Sequence, residues 1–440
     1  MKRSTWFQPS SLAKLQRLPA RPLAVASAGL VALLAICGSA VAENWPQFRG
    51  PHGTFATTGR DLPTEFGNDK NLIWKFELPG HSAATPAIWG EHIFVCTPEG
   101  EKVFLVDLDL SGKERWRREL GSGNRKLGFN GKNNYATSSP VTYGEHVWQL
   151  IGTGTLACFD FQGEEVWKVD LNELIAPYKT GFGIGFTPLL YKEALYLPFL
   201  HQGESSVVAL DKKTGAIKWK TPRTTIAEEE SKDAYSSACV MEYPDHAEIV
   251  VCGADLANAY DSETGREIWS HGDINPKRNK TLRIVVSPIT DRERIYVSSA
   301  KRGPVYAIRS GGQGDVTSSH RQWICEKDTP DVPTPAIDNG LVYLLRENGV
   351  MSVLDAATGE PRYSERFATG TGAFSASPVV ADGKVFLASE GGLVVVLAAG
   401  PKFEKLGESE LGEMIMATPV VIDNRVYIRT EKALYCFGKS

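Results

Sequence analysis

"VVALDKKTGAIKWK", residues 207–220, sets an apolar run, a polar turn and a tryptophan in a fixed order. The order returns as "NAYDSETGREIW" at 258–269 and "SVLDAATGEPRY" at 352–363. In each copy a glycine precedes an aromatic by four positions: Gly215 and Trp219, Gly265 and Trp269, Gly359 and Tyr363. Two shorter turns, "DLSGKERW" and "DFQGEEVW", keep that interval from Gly112 to Trp116 and from Gly163 to Trp167. A lone copy would look like a small active-site loop, but self-similarity at a period of tens of residues marks stacked structural units. The aspartate is placed to accept turn N–H groups, the glycine supplies positive φ, and the ring fills the wedge between neighbouring sheets.

A second element lies upstream of each copy: Ser/Thr-Pro, a few apolar residues, a turn, and a β-branched or aromatic run. It reads "TPAIWGEHIFV" from Thr85, "SPVTYGEHVWQL" from Ser139 and "TPLLYKEALYL" from Thr187, and it recurs from Ser287, Thr334, Ser377 and Thr418. A degenerate copy, "SACVMEYPDHAEIVV", starts at Ser237. The eight units step by 41 to 54 residues, which suits the blades of a propeller.

Each unit divides into four strands, with the proline at the first position of the first strand, where a missing N–H costs little. The chain ends after the third strand of the eighth unit, in "ALYCFGKS". "NLIWKFEL" at 71–78 precedes the first unit, carries Trp74, and is expected to supply the missing strand and close the ring. The expected fold is all-β: an eight-bladed β-propeller of four-stranded antiparallel blades over 72–440, with 72–78 closing blade eight and 43–71 forming an N-terminal strap.

Residues 1–42 carry five basic and no acidic residues, then an uncharged apolar run from Leu23 to Cys37 and "AVA" before Glu43. That is the pattern of a cleaved secretory signal peptide. The fifteen-residue run is short for a membrane anchor, and Ile36 is bulky for lipidation at Cys37. The expected location is periplasmic or secreted. Without residues 1–42, 43 basic residues face 52 acidic ones, a net of −9 that disfavours nucleic acid as a partner. Six cysteines remain, none in C-x-x-C spacing, which argues against covalent haem, thioredoxin chemistry and a zinc ribbon. Cys239 and Cys252 lie on two strand-like runs flanking a turn, so both a disulfide and two buried thiols are open there.

"ALDKKTGAIKW" and "AYDSETGREIW" resemble the pyrroloquinoline quinone (PQQ) enzyme repeat, A-x-D-x-x-T-G-x-x-x-W, over essentially the whole of the chain after residue 42. Two branches share that repeat: quinoprotein alcohol dehydrogenases, and non-catalytic propellers such as the lipoprotein of the outer-membrane β-barrel assembly machinery. "NWPQFRGPHG" at 44–53, "NNYATSSPV" and "LACFDFQGEEVW" resemble secreted bacterial PQQ-like propeller proteins. The resemblance implies the fold strongly, whereas one propeller architecture hosts unrelated activities.

In such a ring the first strands line an axial channel, and the residues before each Ser/Thr-Pro mark its mouth. A planar anionic ligand there would draw on Arg283 for charge and on Asn134, Tyr135, Tyr235 and Phe374 for stacking and polar contacts. Were the protein an enzyme, Asp233 or Asp331 would be the base or the calcium ligand of a PQQ-dependent alcohol or polyol dehydrogenase. The chain departs from that branch in lacking the adjacent-cysteine ring, a tryptophan in the channel column and a C-x-x-C-H haem site. Nucleophile elbows, phosphate loops and histidine pairs at metal-binding spacing are missing too. The expected role is a non-catalytic binding or assembly platform with an envelope or secreted protein partner, or a small ligand at the channel mouth; the dehydrogenase is the alternative. "GSGNRKLGFNGKNNYA" at 121–136 is a candidate recognition loop between blades, and Trp45, Phe48 and Arg49 are placed to strap across one face.

Overall fold

The computed structural model describes residues 43–126 and 133–439. The presequence at 1–42 and the middle of the 121–136 loop therefore lie outside the described residues. Eight sheets follow one another along the chain, each built inner strand to outer strand by antiparallel pairing. Blade one comprises Ala87–Trp89, His92–Glu99, Lys102–Leu108 and Glu114–Gly121. Blade eight takes three strands from the C-terminus and its outer strand, Leu72–Glu77, from the start of the ring. Leu72–Glu77 pairs antiparallel with Ala433–Phe437, Trp74 facing Cys436, so the ring closes without a covalent bond.

The repeated turn motif is the joint between blades. Asp211 accepts from the N–H groups of Lys213 and Thr214, both at 3.0 Å, and from the Thr214 hydroxyl. That closure presents Gly215, at φ +72°, to the tryptophan of the preceding blade. The next joint repeats it: a Cβ on Gly265 would lie 2.5 Å from the Trp219 ring, and the Trp219 indole donates to the Ser262 carbonyl at 3.0 Å. Trp74, Trp116, Trp167 and Trp323 dock on Gly112, Gly163, Gly215 and Gly359 in the same way. The motif's glycine and tryptophan therefore belong to different contacts: each glycine receives the ring behind it, and each tryptophan reaches the glycine ahead.

Blade four departs from the expected four strands. Its outer strand, Glu267–His271, gains a fifth, parallel partner at Gly314–Asp315, which comes from the long turn of blade five. Four positions before Trp323, where the repeat has its glycine, stands Ser319, and none of the turn's glycines meets Trp269; the excursion covers the edge instead.

The strap runs around the ring on the face carrying the turns after the inner strands. Trp45 exchanges backbone hydrogen bonds with Ile88 of blade one, and Pro46 accepts from Thr142 of blade two. Buried Arg49 donates to the carbonyls of Ser237, Ala238 and Pro288 in blades four and five. Thr54 then accepts from Ile337, Phe55 from Val380, and Arg60 donates to Asp423. Sixteen residues thus touch the inner strands in chain order and tie them together. Cys239 sits opposite Val250, not Cys252, and the six described cysteines are all free thiols.

Candidate functional site: the axial channel

The serine or threonine that heads a unit lines the axial channel in seven of the eight units, and successive units are joined there. Thr85 N–H donates to Ser139 Oγ at 3.0 Å, Ser139 N–H to Thr187 Oγ1 at 3.0 Å, and Thr187 N–H to Ser237 Oγ at 2.8 Å. The chain of bonds continues through Ser287, Thr334 and Ser377 to Thr418. Seven links form a hydroxyl girdle, and the eighth, from Thr418 back to Thr85, does not. Thr85 Oγ1 is buried without a partner at this seam. In every unit but the fourth, which has Ala238, proline at the next position leaves no second N–H to compete for the same hydroxyl.

The girdle surrounds a cavity of about 360 Å³. Besides the seven accepting hydroxyls, its wall contains the residue two positions before each of the eight units, from Ala83 and Thr137 to Ser375 and Met416. The approach to each unit is extended, so side chains alternate between the channel and the ring interior. Phe48 of the strap lines the cavity as well. At the mouth stand Asn133, Phe182, Tyr235 and Arg283. Phe182 and Tyr235 meet edge to face, centroids 5.8 Å apart at 90°. The Arg283 guanidinium lies 5.5 Å over Phe182 and faces Glu230 at 3.4 Å.

Of the residues expected at the site, Tyr235 and Arg283 line the cavity. Phe374 does not: three positions before Ser377 it points into the ring, buried and edge-on to Phe367 at 5.1 Å. Asn134 bridges blades, donating to the His81 carbonyl at 2.6 Å and accepting from Ala136 N–H. Tyr135 packs over Gly152 and Gly183. Asp331 accepts from Lys301 N–H at 2.5 Å, while its own N–H donates to Glu347. Asp233 is buried behind Tyr235: one oxygen accepts from Gln202 at 2.8 Å and from Thr180 at 3.5 Å, and the other has no partner. Burial pushes its carboxyl up to about 6. The Thr180 hydroxyl also bonds Tyr235 Oη at 2.6 Å, so a polar chain runs from the buried acid to the cavity wall. Phe182 and Phe48 were missing from the expected set, and so were the hydroxyls.

The family model described as outer membrane protein assembly factor BamB matches residues 102–324 and 326–400, well over half of the sequence. The chain belongs to this family. Among solved structures it is similar to BamB from Moraxella catarrhalis, at a TM-score of 0.59 and 14% identity over 84% of this chain and 97% of that one. It is also similar to the quinohemoprotein alcohol dehydrogenase from Comamonas testosteroni, at 0.68 and 15% over 90% and 81%. Sqt1 from Saccharomyces cerevisiae follows at 0.61 and 12% over 84% and 99%. At these identities the likeness is one of fold. No curated protein matches the sequence.

Proposed function

We propose that this is an exported, non-catalytic member of the BamB-like propellers, serving as a binding or assembly platform in the periplasm or cell envelope. The observation that carries the reading is the chemistry of the channel wall, which presents hydroxyls, aromatics, aliphatic side chains, one asparagine and one arginine but no carboxylate. A PQQ- and calcium-dependent dehydrogenase needs carboxylate oxygens around its cation and a base facing the substrate. Asp233 and Asp331 are engaged by Gln202 and by Lys301 N–H, outside the cavity wall. Among the described residues no group of three His, Cys, Asp or Glu side chains could hold a metal ion. Phe182 and Tyr235 pack against each other and leave no flat slot between two parallel ring faces. The residues present do not fit PQQ with calcium. Export rests on the charge and hydropathy pattern of residues 1–42, and no described helix is long and apolar enough to cross a membrane.

The test is to fractionate cells producing the full chain, and to titrate the purified protein with PQQ and Ca²⁺ under a dye-linked alcohol assay. Recovery with the periplasmic or secreted fraction and no alcohol oxidation are expected. Turnover that disappears in Asp233→Ala or Asp331→Ala would overturn the platform reading.

A further inference from the structure

The girdle hydroxyls have a second hydrogen-bonding capacity that the ring leaves unused. A serine or threonine hydroxyl accepts through its oxygen and also donates one proton. Seven of them, from Ser139 to Thr418, accept a neighbour's N–H. All seven line the cavity, and among the described residues none donates to a protein acceptor. Their oxygens are fixed by the backbone, so the protons are left to turn towards the axis. Other side chains of the wall that carry hydroxyls are held differently: Ser375 donates to Glu390 at 2.5 Å, and Thr137 to the Asn134 carbonyl at 2.8 Å. Arg283 adds a cation at the mouth, with no lining carboxylate to match it from within. Its ion pair with Glu230 lies at the rim, where both side chains are about one-third exposed (31% and 32%).

Between the aliphatic and aromatic side chains of the wall, the polar groups left free are a ring of hydroxyl donors and one cation, which is complementary to a group made only of acceptors. We propose that the axial cavity is a receptor for a small ligand bearing an oxyanion, carboxylate or phosphate, held by the girdle hydroxyls and by Arg283. The volume admits a molecule of metabolite size rather than a folded domain. Phe48 gives the strap side of the cavity an apolar lining, so a charged ligand is expected to come in past Phe182, Tyr235 and Arg283. Glu230 competes with the ligand for the guanidinium, which makes the Glu229–Lys232 turn a brake on binding. This site deepens the platform reading by giving it a ligand chemistry, and it rests on that reading only in assigning no turnover to the bound molecule.

Equilibrium dialysis of the purified protein against labelled citrate and labelled inorganic phosphate, with labelled glycerol as the neutral control, tests it. Saturable binding of one or both anions is expected, and the citrate and phosphate arms separate a carboxylate from a phosphate ligand. Arg283→Gln should weaken the binding at least about tenfold, since it removes the charge-assisted contact. Glu230→Gln should tighten it several-fold, which a merely structural role for the ion pair would not do. Melting temperatures of both variants confirm that the ring is intact. Equal retention of glycerol, no saturable anion binding, or anion binding indifferent to both substitutions would overturn the proposal. Alcohol turnover with PQQ would instead defeat the platform reading and leave the anion result standing.

Discussion

The joint between blades three and four and the joint between blades four and five solve one problem by different means. At the first, the Trp219 ring lies on Gly265 and its indole donates to the Ser262 carbonyl. At the second, Trp269 finds no turn glycine; its indole donates at 2.9 Å to Glu248, a carboxylate only 2% exposed, and its strand is capped by Gly314–Asp315. The regular joint depends on the absence of a side chain, whereas the irregular one depends on a buried charge and an added peptide edge. The repeat is therefore a code for contacts between units, and where the code lapses other chemistry takes its place.

The largest effect that can break this contrast is a side chain on Gly265. Its φ of +72° and the 2.5 Å approach of Trp219 penalise a valine twice, by backbone strain and by overlap with a ring that cannot retreat. Gly265→Val is expected to cost about 3–5 kcal/mol. Gly314→Ala, at φ +66° with nothing near its Cβ position, should cost only about 1 kcal/mol. Thermal melting of the two variants measures the difference. Equal losses would mean that the glycine is kept for turn geometry alone.

The mouth end of the first joint has its own signature, in pH. Asp233 N–H and C=O are bonded to Glu230 and Ile284, and its carboxyl titrates near 6 instead of 3.8 because it is buried. Between those values the folded protein holds a proton that the unfolded chain has released. Stability therefore falls as pH rises from about 4 to 6 and is level above, by at most about 3 kcal/mol at 1.36 kcal/mol per unit. Asp233→Asn should flatten that slope when melting temperatures are compared across pH 4 to 7.5. An unchanged slope in the variant would show that another group carries it.

The indoles themselves sharpen the comparison at smaller scale. Trp269→Phe removes the ring donor to buried Glu248, leaving Tyr243 at 3.2 Å and the His246 ring at 3.6 Å, and is expected to cost about 1–3 kcal/mol. Trp219→Phe removes a donor to the Ser262 carbonyl, which Tyr196 also serves at 3.1 Å, so it should cost about 1 kcal/mol. Denaturant midpoints of the pair give the order. A reversed order would place the weight of the irregular joint on the Gly314–Asp315 edge rather than on the buried charge.

Blade number, ring closure by Leu72–Glu77 and the recurrence of a turn glycine and a wedge-filling tryptophan were legible, because each repeats and each has a steric cause; that each ring docks on the glycine of the next unit was not. The fifth strand of blade four was not, since it is written in a turn that leaves the repeat. The channel residues expected from the sequence stand at differing distances from the Ser/Thr-Pro, and on an extended chain those distances alternate between the channel and the core. Tyr235, two before Ser237, faces the cavity, and Phe374, three before Ser377, faces the core. The hydroxyl column was in full view in all eight units, but the proline beside it drew the explanation. A neutral hydroxyl that accepts one N–H leaves no mark on composition or charge, and its purpose emerges only when neighbouring blades are brought together.

The seam of the girdle turns that lesson into the finest test. Thr187 accepts the Ser139 N–H at the channel wall, so Thr187→Val strands a buried donor and should cost about 1–2 kcal/mol. Thr85 has the same residue type, the same place in its unit and the same burial, yet its hydroxyl oxygen meets no partner. Replacing it by valine keeps the shape and removes a polar atom that gains nothing from burial. Thr85→Val should therefore leave the melting temperature unchanged or raise it slightly. Two threonines that look equivalent in sequence then differ by the one hydrogen bond missing where the first and last blades meet. Equal losses at both positions would mean that the eighth link forms in solution and that the girdle is a closed ring.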